Sequence, residues 1–245
     1  EANPDSAYIL LNEVKTPDRL IERQFARWCM LYCRAADKLF KDMLYTEQLD
    51  RALAWYKSHG AAEQQAWRGL YLGRSYVKDK LFIPAMKAYS DALSLAKEKY
   101  LYDVAGYICS YMADLYTYTG QRSEERRKFE EAAEFFKQAG NERSYAFALR
   151  DVAKTWAFDD SLSLALHYML IADSVITRFQ DLRGISSISN GLGNIYDLMG
   201  DVEKARAYYN SRSLSSDTMD QVPSYLALSD LYYNESLLDS ARYYL

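Results

Sequence analysis

One spacing constrains this chain more than any other property. Gly73, Ala113, Ala153, Gly193 and Ser229 are small residues 40, 40, 40 and 36 positions apart by their numbers, and each is followed three residues later by an aromatic: Tyr76, Tyr116, Trp156, Tyr196 and Tyr232. Twelve residues after each small residue come Ala85, Glu125, Ala165, Ala205 and Ala241, and four further on Tyr89, Phe129, Met169, Tyr209 and Leu245. A unit of this length cannot bury its apolar face alone, so copies of it must stack.

The stretch from Leu192 to Arg212 writes out one unit in full. Gly200-Asp201 interrupts its helical periodicity and divides it into two helices. Small residues at Gly193 and Ala205 let the paired backbones approach, Tyr196 and Tyr209 fill the space beside them, and Gly200 ends the first helix in a left-handed cap. The pattern predicts burial of Gly73, Ala85, Ala113, Ala153, Ala165, Gly193 and Ala205 at helix crossings. Glu125 alone breaks the column of small residues twelve positions on. An unpaired buried carboxylate costs several kcal/mol, so that hairpin is expected to be splayed or shifted.

With Leu72-Gly73, Tyr76, Ala85 and Tyr89 in place, the chain resembles the tetratricopeptide repeat family. The resemblance implies an all-α, right-handed solenoid of antiparallel helix hairpins, about 13 helices in all, as one continuous domain over 1–245. Residues 1–62 form divergent N-terminal helices, and regular hairpins fill 63–245, the last one truncated. The period of about 40 exceeds the family's 34 or so, which implies longer helices or turns. The opening Pro4-Asp5-Ser6-Ala7 followed by paired leucines resembles tetratricopeptide lipoproteins exported by Gram-negative bacteria, whose lipidated cysteine is not in this sequence. That resemblance favours a periplasmic or membrane-anchored location over a cytoplasmic one.

Helix signals place the elements. Asn3-Pro4-Asp5-Ser6 starts a short helix reaching about Lys15, Thr16-Pro17-Asp18 restarts a long one from about Arg19 to Met43, and its partner runs from about Glu47 to Lys57. Regular helices are expected near 63–79, 82–99, 103–119, 122–139, 143–158, 161–180, 184–199, 202–215, 223–234 and 237–244, with Asp159-Asp160-Ser161 supplying caps. The run from Glu124 to Lys128 reads as a solvated first turn, with acids at the positive helix end. Tyr243, Tyr244 and Leu245 would leave apolar surface uncovered. The native polypeptide is therefore expected to continue beyond Leu245, or a second subunit to cap that end, which makes a dimer possible.

Chemistry is sparse. Ten glycines and four prolines leave few turns for a sheet, and no apolar run reaches the length of about 18 to 20 residues needed to span a bilayer. A formal charge of -4 argues against a broad nucleic-acid or anionic-membrane surface. Cys29 and Cys33 share a helix face, but with His59 and His167 distant in sequence they read as buried small hydrophobes, as does Cys109. The sequence shows no metal site, no cofactor site and no catalytic constellation. Gly191-Leu192-Gly193 lies within a helix of the repeat and is no phosphate loop.

Binding is the remaining chemistry, because stacked hairpins make a groove lined by the first helix of each pair. The family's groove positions fall on Arg74 and Lys78, then Asp114 and Tyr118, then Arg150 and Lys154, then Asn190 and Asn194. Arg150 with Lys154, and Asn190 with Asn194, are i,i+4 pairs on adjacent first helices, and amides and cations there suit the backbone or a carboxylate of an extended peptide. The expected function is a non-catalytic scaffold that binds a protein segment or peptide, as part of a larger sensory or assembly protein. The alternative is a nutrient- or glycan-binding lipoprotein that stacks sugar on Trp67, Tyr107, Tyr111 and Tyr118. Broad coplanar exposure of those four rings would favour sugar.

Overall fold

The computed structural model describes residues 3–39, 41–211 and 218–245. Among them are 13 α-helices and no strand. The chain divides into two compact units, Glu1–Gln121 and Arg122–Leu245. The N-terminal unit holds α1 (Pro4–Asn12), α2 (Glu22–Lys38), α3 (Thr46–His59), α4 (Ala62–Lys78), α5 (Phe82–Glu98) and α6 (Tyr102–Tyr118). The C-terminal unit holds α7 (Arg122–Gln138), α8 (Glu142–Phe158), α9 (Leu162–Thr177), α10 (Leu182–Leu198), α11 (Val202–Ser211), α12 (Thr218–Asn234) and α13 (Leu238–Tyr243). Within each unit consecutive helices pack against one another, as in an all-α solenoid. The division falls just ahead of α7, the helix that carries Glu125, itself half-buried.

The 40-residue period has a simple local origin. Residues with left-handed φ recur every 20 positions, at Lys80, Tyr100, Gly120, Gly140, Asp160, Gln180 and Gly200. The next N–H then bonds five residues back, Leu81 to Tyr76, Leu101 to Ala96 and Gln121 to Tyr116, which closes the helix end in a Schellman turn. From α4 to α10 each half-repeat is thus a helix of 17 residues, or 16 in α9, and a short turn, so longer helices account for the period.

All seven small residues expected at crossings are buried. At Gly73 a Cβ would stand 2.2 Å from the Tyr89 ring, and at Gly193 it would stand 2.3 Å from the Tyr209 ring. The same device therefore recurs once in each unit: a hydrogen atom in place of a side chain lets a tyrosine lie flat against the neighbouring helix.

Several boundaries differ from the sequence reading, for identifiable reasons. Pro17–Arg19 forms a 3-10 turn and Ile21 is extended, so α2 begins at Glu22 rather than Arg19; it ends at Lys38 rather than Met43. Phe40, within the expected helix, and residues 212–215 of the expected 202–215 helix lie outside the described residues. The helix expected from 223 starts at Thr218 and carries Pro223 inside it, which forfeits one backbone bond. Asn3 caps α1 as expected, accepting a bond from the Ser6 N–H at 3.0 Å. Ser161 makes no side-chain cap, its hydroxyl pointing back to the Asp159 carbonyl at 3.5 Å, and the Asp159 carboxylate is held by Arg126 and Arg122 of α7. Arg126 also lies 3.7 Å over the Trp156 ring, and buried Lys128 pairs with Glu131 at 2.8 Å. The basic part of the 124–128 run thus turns inward as well as toward solvent.

Cys29, Cys33 and Cys109 are buried and none of them is in a disulfide. Burial pushes the Cys29 and Cys33 thiols up to about 12, so both stay protonated at neutral pH. No group of three metal-ligating side chains gathers among the described residues. At the C-terminal end, Tyr244 stacks on Tyr232 at 5.6 Å, whereas Tyr243 and Leu245 are exposed.

Candidate functional site

In the C-terminal unit, the residues expected to grip a ligand already have internal partners. Arg150 and Lys154 converge on one carboxylate, Asp151, at 2.8 and 3.3 Å, and Arg150 reaches across to Ser187 of α10 at 2.9 Å. Asn194 accepts a bond from the Tyr209 hydroxyl at 2.7 Å, and Asn190 accepts one from Ser224 of α12 at 3.5 Å. No hydrogen bond joins the cationic pair to either amide among the described residues. These side chains couple α8 to α10 and α10 to α11 and α12.

The N-terminal unit repeats this coupling and adds rings. Arg74 pairs with Asp37 of α2 and lies 4.6 Å over the Tyr111 ring, while the Tyr111 hydroxyl donates to the same carboxylate at 2.9 Å. Burial raises the Tyr111 hydroxyl above its usual range, and Asp37 adds to the shift. Lys78 approaches Asp42 at 3.9 Å. Tyr118 is exposed and stacks on Phe82, and Asp114 is exposed on the same helix. Three of the four rings proposed as sugar platforms are half-buried and engaged with other rings: Trp67 with Tyr71 and Tyr107, and Tyr111 with Tyr89. Tyr118 alone exposes its face broadly.

A different site stands out. A cleft of about 900 Å³ opens in the N-terminal unit between α2, the end of α3 and the starts of α4 and α6. One wall is basic: Arg23, Arg27 and Arg34 follow one another along α2 and are all exposed. Among the described residues no ion pair holds Arg23 or Arg27. The acids beside them are already engaged, since Arg51 of α3 binds Glu22 at 2.6 Å and approaches Asp18. The lining also carries aromatic rings, Trp67 from α4 and Trp55 from α3, whose ring stacks on His59 at 4.9 Å. Glu63 and Asp103 also line the cleft, but each sits in the first turn of its helix, where the positive helix end favours an acid.

Tyr56 also lines this cleft, and against its ring, 3.5 Å from the centroid, lies the guanidinium of Arg68. Arg68 is 2% exposed and none of its three side-chain nitrogens has a hydrogen-bond partner. Burial lowers its pKa to about 10, which still leaves it charged at neutral pH. The position is five residues before the small crossing residue, and the next three repeats place Ile108, Ala148 and Ile188 there, all buried. A cation thus occupies a column that the rest of the fold fills with apolar or small side chains. Sequence reasoning followed the family's groove positions and missed both features, although the i,i+4 step from Arg23 to Arg27 and the odd member of the column were visible signals.

The geometry can be compared with solved structures. BtubC (BKLC) from P. vanneervenii superimposes with a TM-score of 0.67 at 20% identity, over 87% of this chain and 86% of that one. Repeat arrays described as kinesin light chain TPR-like repeats, from Podosopora anserina, match with a TM-score of 0.58 at 12% identity, over 81% of this chain and 94% of theirs. The fold is that of tetratricopeptide-like repeat proteins. A Rap protein complexed with competence and sporulation factor also matches, with a TM-score of 0.68 at 16% identity, over 98% of this chain and 69% of that one. No protein-family model matches the sequence, and no curated protein does.

Proposed function

We propose that this chain is a non-catalytic scaffold that binds a segment of another protein, and that the cleft of the N-terminal unit is where the segment lies. One observation carries the reading: a cleft of about 900 Å³ that joins a row of exposed guanidinium groups to aromatic rings. That size suits several residues of a ligand, and arginines together with aromatic rings are the composition enriched in protein recognition. A tetratricopeptide-like fold supports it, because stacked hairpins present extended binding surfaces, and one solved relative in fold is described in complex with competence and sporulation factor. In the C-terminal unit, Lys154, Asn190 and Asn194 form a secondary contact surface, and Arg150 positions Lys154 through Asp151. The chain serves as the recognition part of a larger assembly or sensory protein.

Selection from a random peptide library displayed on phage tests this. Enriched peptides should bind the purified chain and lose binding on Trp67→Ala or Arg27→Glu, but keep it on Arg242→Glu. A library that yields no binder, or binders indifferent to both cleft substitutions, contradicts the reading.

A further inference from the structure

We propose that the N-terminal cleft is specific for an extended internal segment in which a large apolar or aromatic residue is flanked on both sides by carboxylates. This rests on the cleft being the binding site, and adds the chemistry of what binds. Arg23 and Arg27 are one helical turn apart, about 6 Å along the axis at 1.5 Å per residue. Alternate residues of an extended strand are about 6.7 Å apart and point to one side, while the residue between them points to the other. A segment lying along α2 therefore sets two acidic side chains against Arg23 and Arg27 and turns the intervening side chain toward the rings of Trp55 and Trp67. Arg34, further along α2, extends the basic row beyond that pair.

Arg68 gives this an independent footing. A buried cation without a counter-charge is costly, and nothing in the fold requires one in a column that holds Ile108, Ala148 and Ile188 in other repeats. Its guanidinium lies against Tyr56, a lining residue of the cleft, so its field acts through a ring and a low-dielectric interior rather than through water. Anions bound above that ring supply the charge that the fold omits. The arrangement needs no free chain terminus, because two side-chain carboxylates answer two guanidinium groups.

The test is calorimetric titration of the full chain with the blocked peptide acetyl-Gly-Glu-Phe-Glu-Gly-amide, beside its Gln-Phe-Gln and Lys-Phe-Lys analogues and the reordered Phe-Glu-Glu peptide. The Glu-Phe-Glu peptide should bind best, about tenfold tighter than the Gln-Phe-Gln analogue for each carboxylate removed, with affinity falling as salt rises. Arg27→Gln should weaken it about tenfold, and Arg68→Met should weaken it while leaving the fold intact by circular dichroism. Equal binding of the neutral or basic analogue overturns the acidic specificity and leaves the peptide cleft standing. Equal binding of the reordered peptide, or displacement by a single-stranded oligonucleotide of equal charge, shows that bare charge suffices and also overturns it. If none of these peptides binds but library-selected peptides do, the specificity fails alone; if no peptide binds at all, the cleft reading fails with it.

Discussion

Arg68 and Ile188 occupy the same register, five residues before the glycine that lets two helices cross, one in each unit. Both are buried, at 2% and 0% exposure, on α4 and α10 respectively. In the C-terminal unit that position is ordinary core, and the cations Arg150 and Lys154 both pair with Asp151. In the N-terminal unit it holds a guanidinium with no hydrogen-bond partner, and among the described residues no ion pair holds Arg23 or Arg27 of the cleft beside it. The difference is local: Arg150 and Lys154 share an internal carboxylate, whereas Arg68 has no hydrogen-bond partner and no ion pair holds Arg23 or Arg27 among the described residues.

The largest effects should come from the device the two units share. Gly73→Ala and Gly193→Ala each force a methyl group into a tyrosine ring, and each should cost on the order of 3 kcal/mol by thermal denaturation. Tyr89→Leu should rescue the first and Tyr209→Leu the second; rescue of one only would show that the crossings are not equivalent. Ala165→Leu, at another buried crossing, should cost about 1 to 3 kcal/mol. The comparison then sharpens at the differing residue. Arg68→Met should raise stability by about 1 to 4 kcal/mol, whereas Ile188→Arg should destabilise by about 3 kcal/mol or more, because each removes or adds a buried uncompensated charge. Loss of stability in Arg68→Met would mean that the guanidinium is a structural element rather than a poised one.

Alkaline pH separates the units by another route. Burial raises the thiols of Cys29 and Cys33 to about 12, and it raises the hydroxyls of Tyr71, Tyr89 and Tyr111 in the N-terminal unit as well as Tyr209 in the C-terminal one. These groups stay neutral in the folded state while the unfolded chain ionises, so their contribution is intact below about pH 8.5 and is lost as pH climbs toward their folded values. Arg68 acts oppositely, its penalty easing as pH rises from about 10 toward its unfolded value, but it is one group against several. Hydrogen exchange at rising pH, corrected for its intrinsic rate, should show the N-terminal unit opening first. Native-state alkylation of Cys29 and Cys33 should be slow at pH 8 for the same reason.

Smaller effects test the turns. Gly120 and Gln180 share the left-handed conformation at φ of 69° and 51°. Gly120→Ala should therefore cost about 1 kcal/mol and Gln180→Gly should be neutral or slightly stabilising by thermal melting. Asp151→Ala should shift stability by about 1 kcal/mol or less, since its ion pairs are partly solvated.

Much of this architecture was legible because packing repeats itself. The spacing of Gly73, Ala113, Ala153, Gly193 and Ser229 marks close crossings, where steric demand favours small residues. Helix ends at Gly120, Gly140 and Gly200 could be read for the same reason. The ends near Lys80, Tyr100 and Gln180 were placed to within a few residues, but the left-handed conformation there was not legible, because these are ordinary residues whose chemistry does not advertise it. The candidate site was harder still. Arg150 and Lys154 looked available because the sequence does not show that Asp151 turns back to neutralise them, whereas Arg68 drew no notice because one arginine in a helix is commonplace until its column proves to be core.

The most direct test of the central claim is hydrogen exchange of the full chain with and without the blocked Glu-Phe-Glu peptide at saturating concentration. New protection should be strongest along α2, the end of α3 and the start of α4, and weaker in α8 and α10. Protection centred on α8 and α10, around Arg150, Lys154, Asn190 and Asn194, would contradict it.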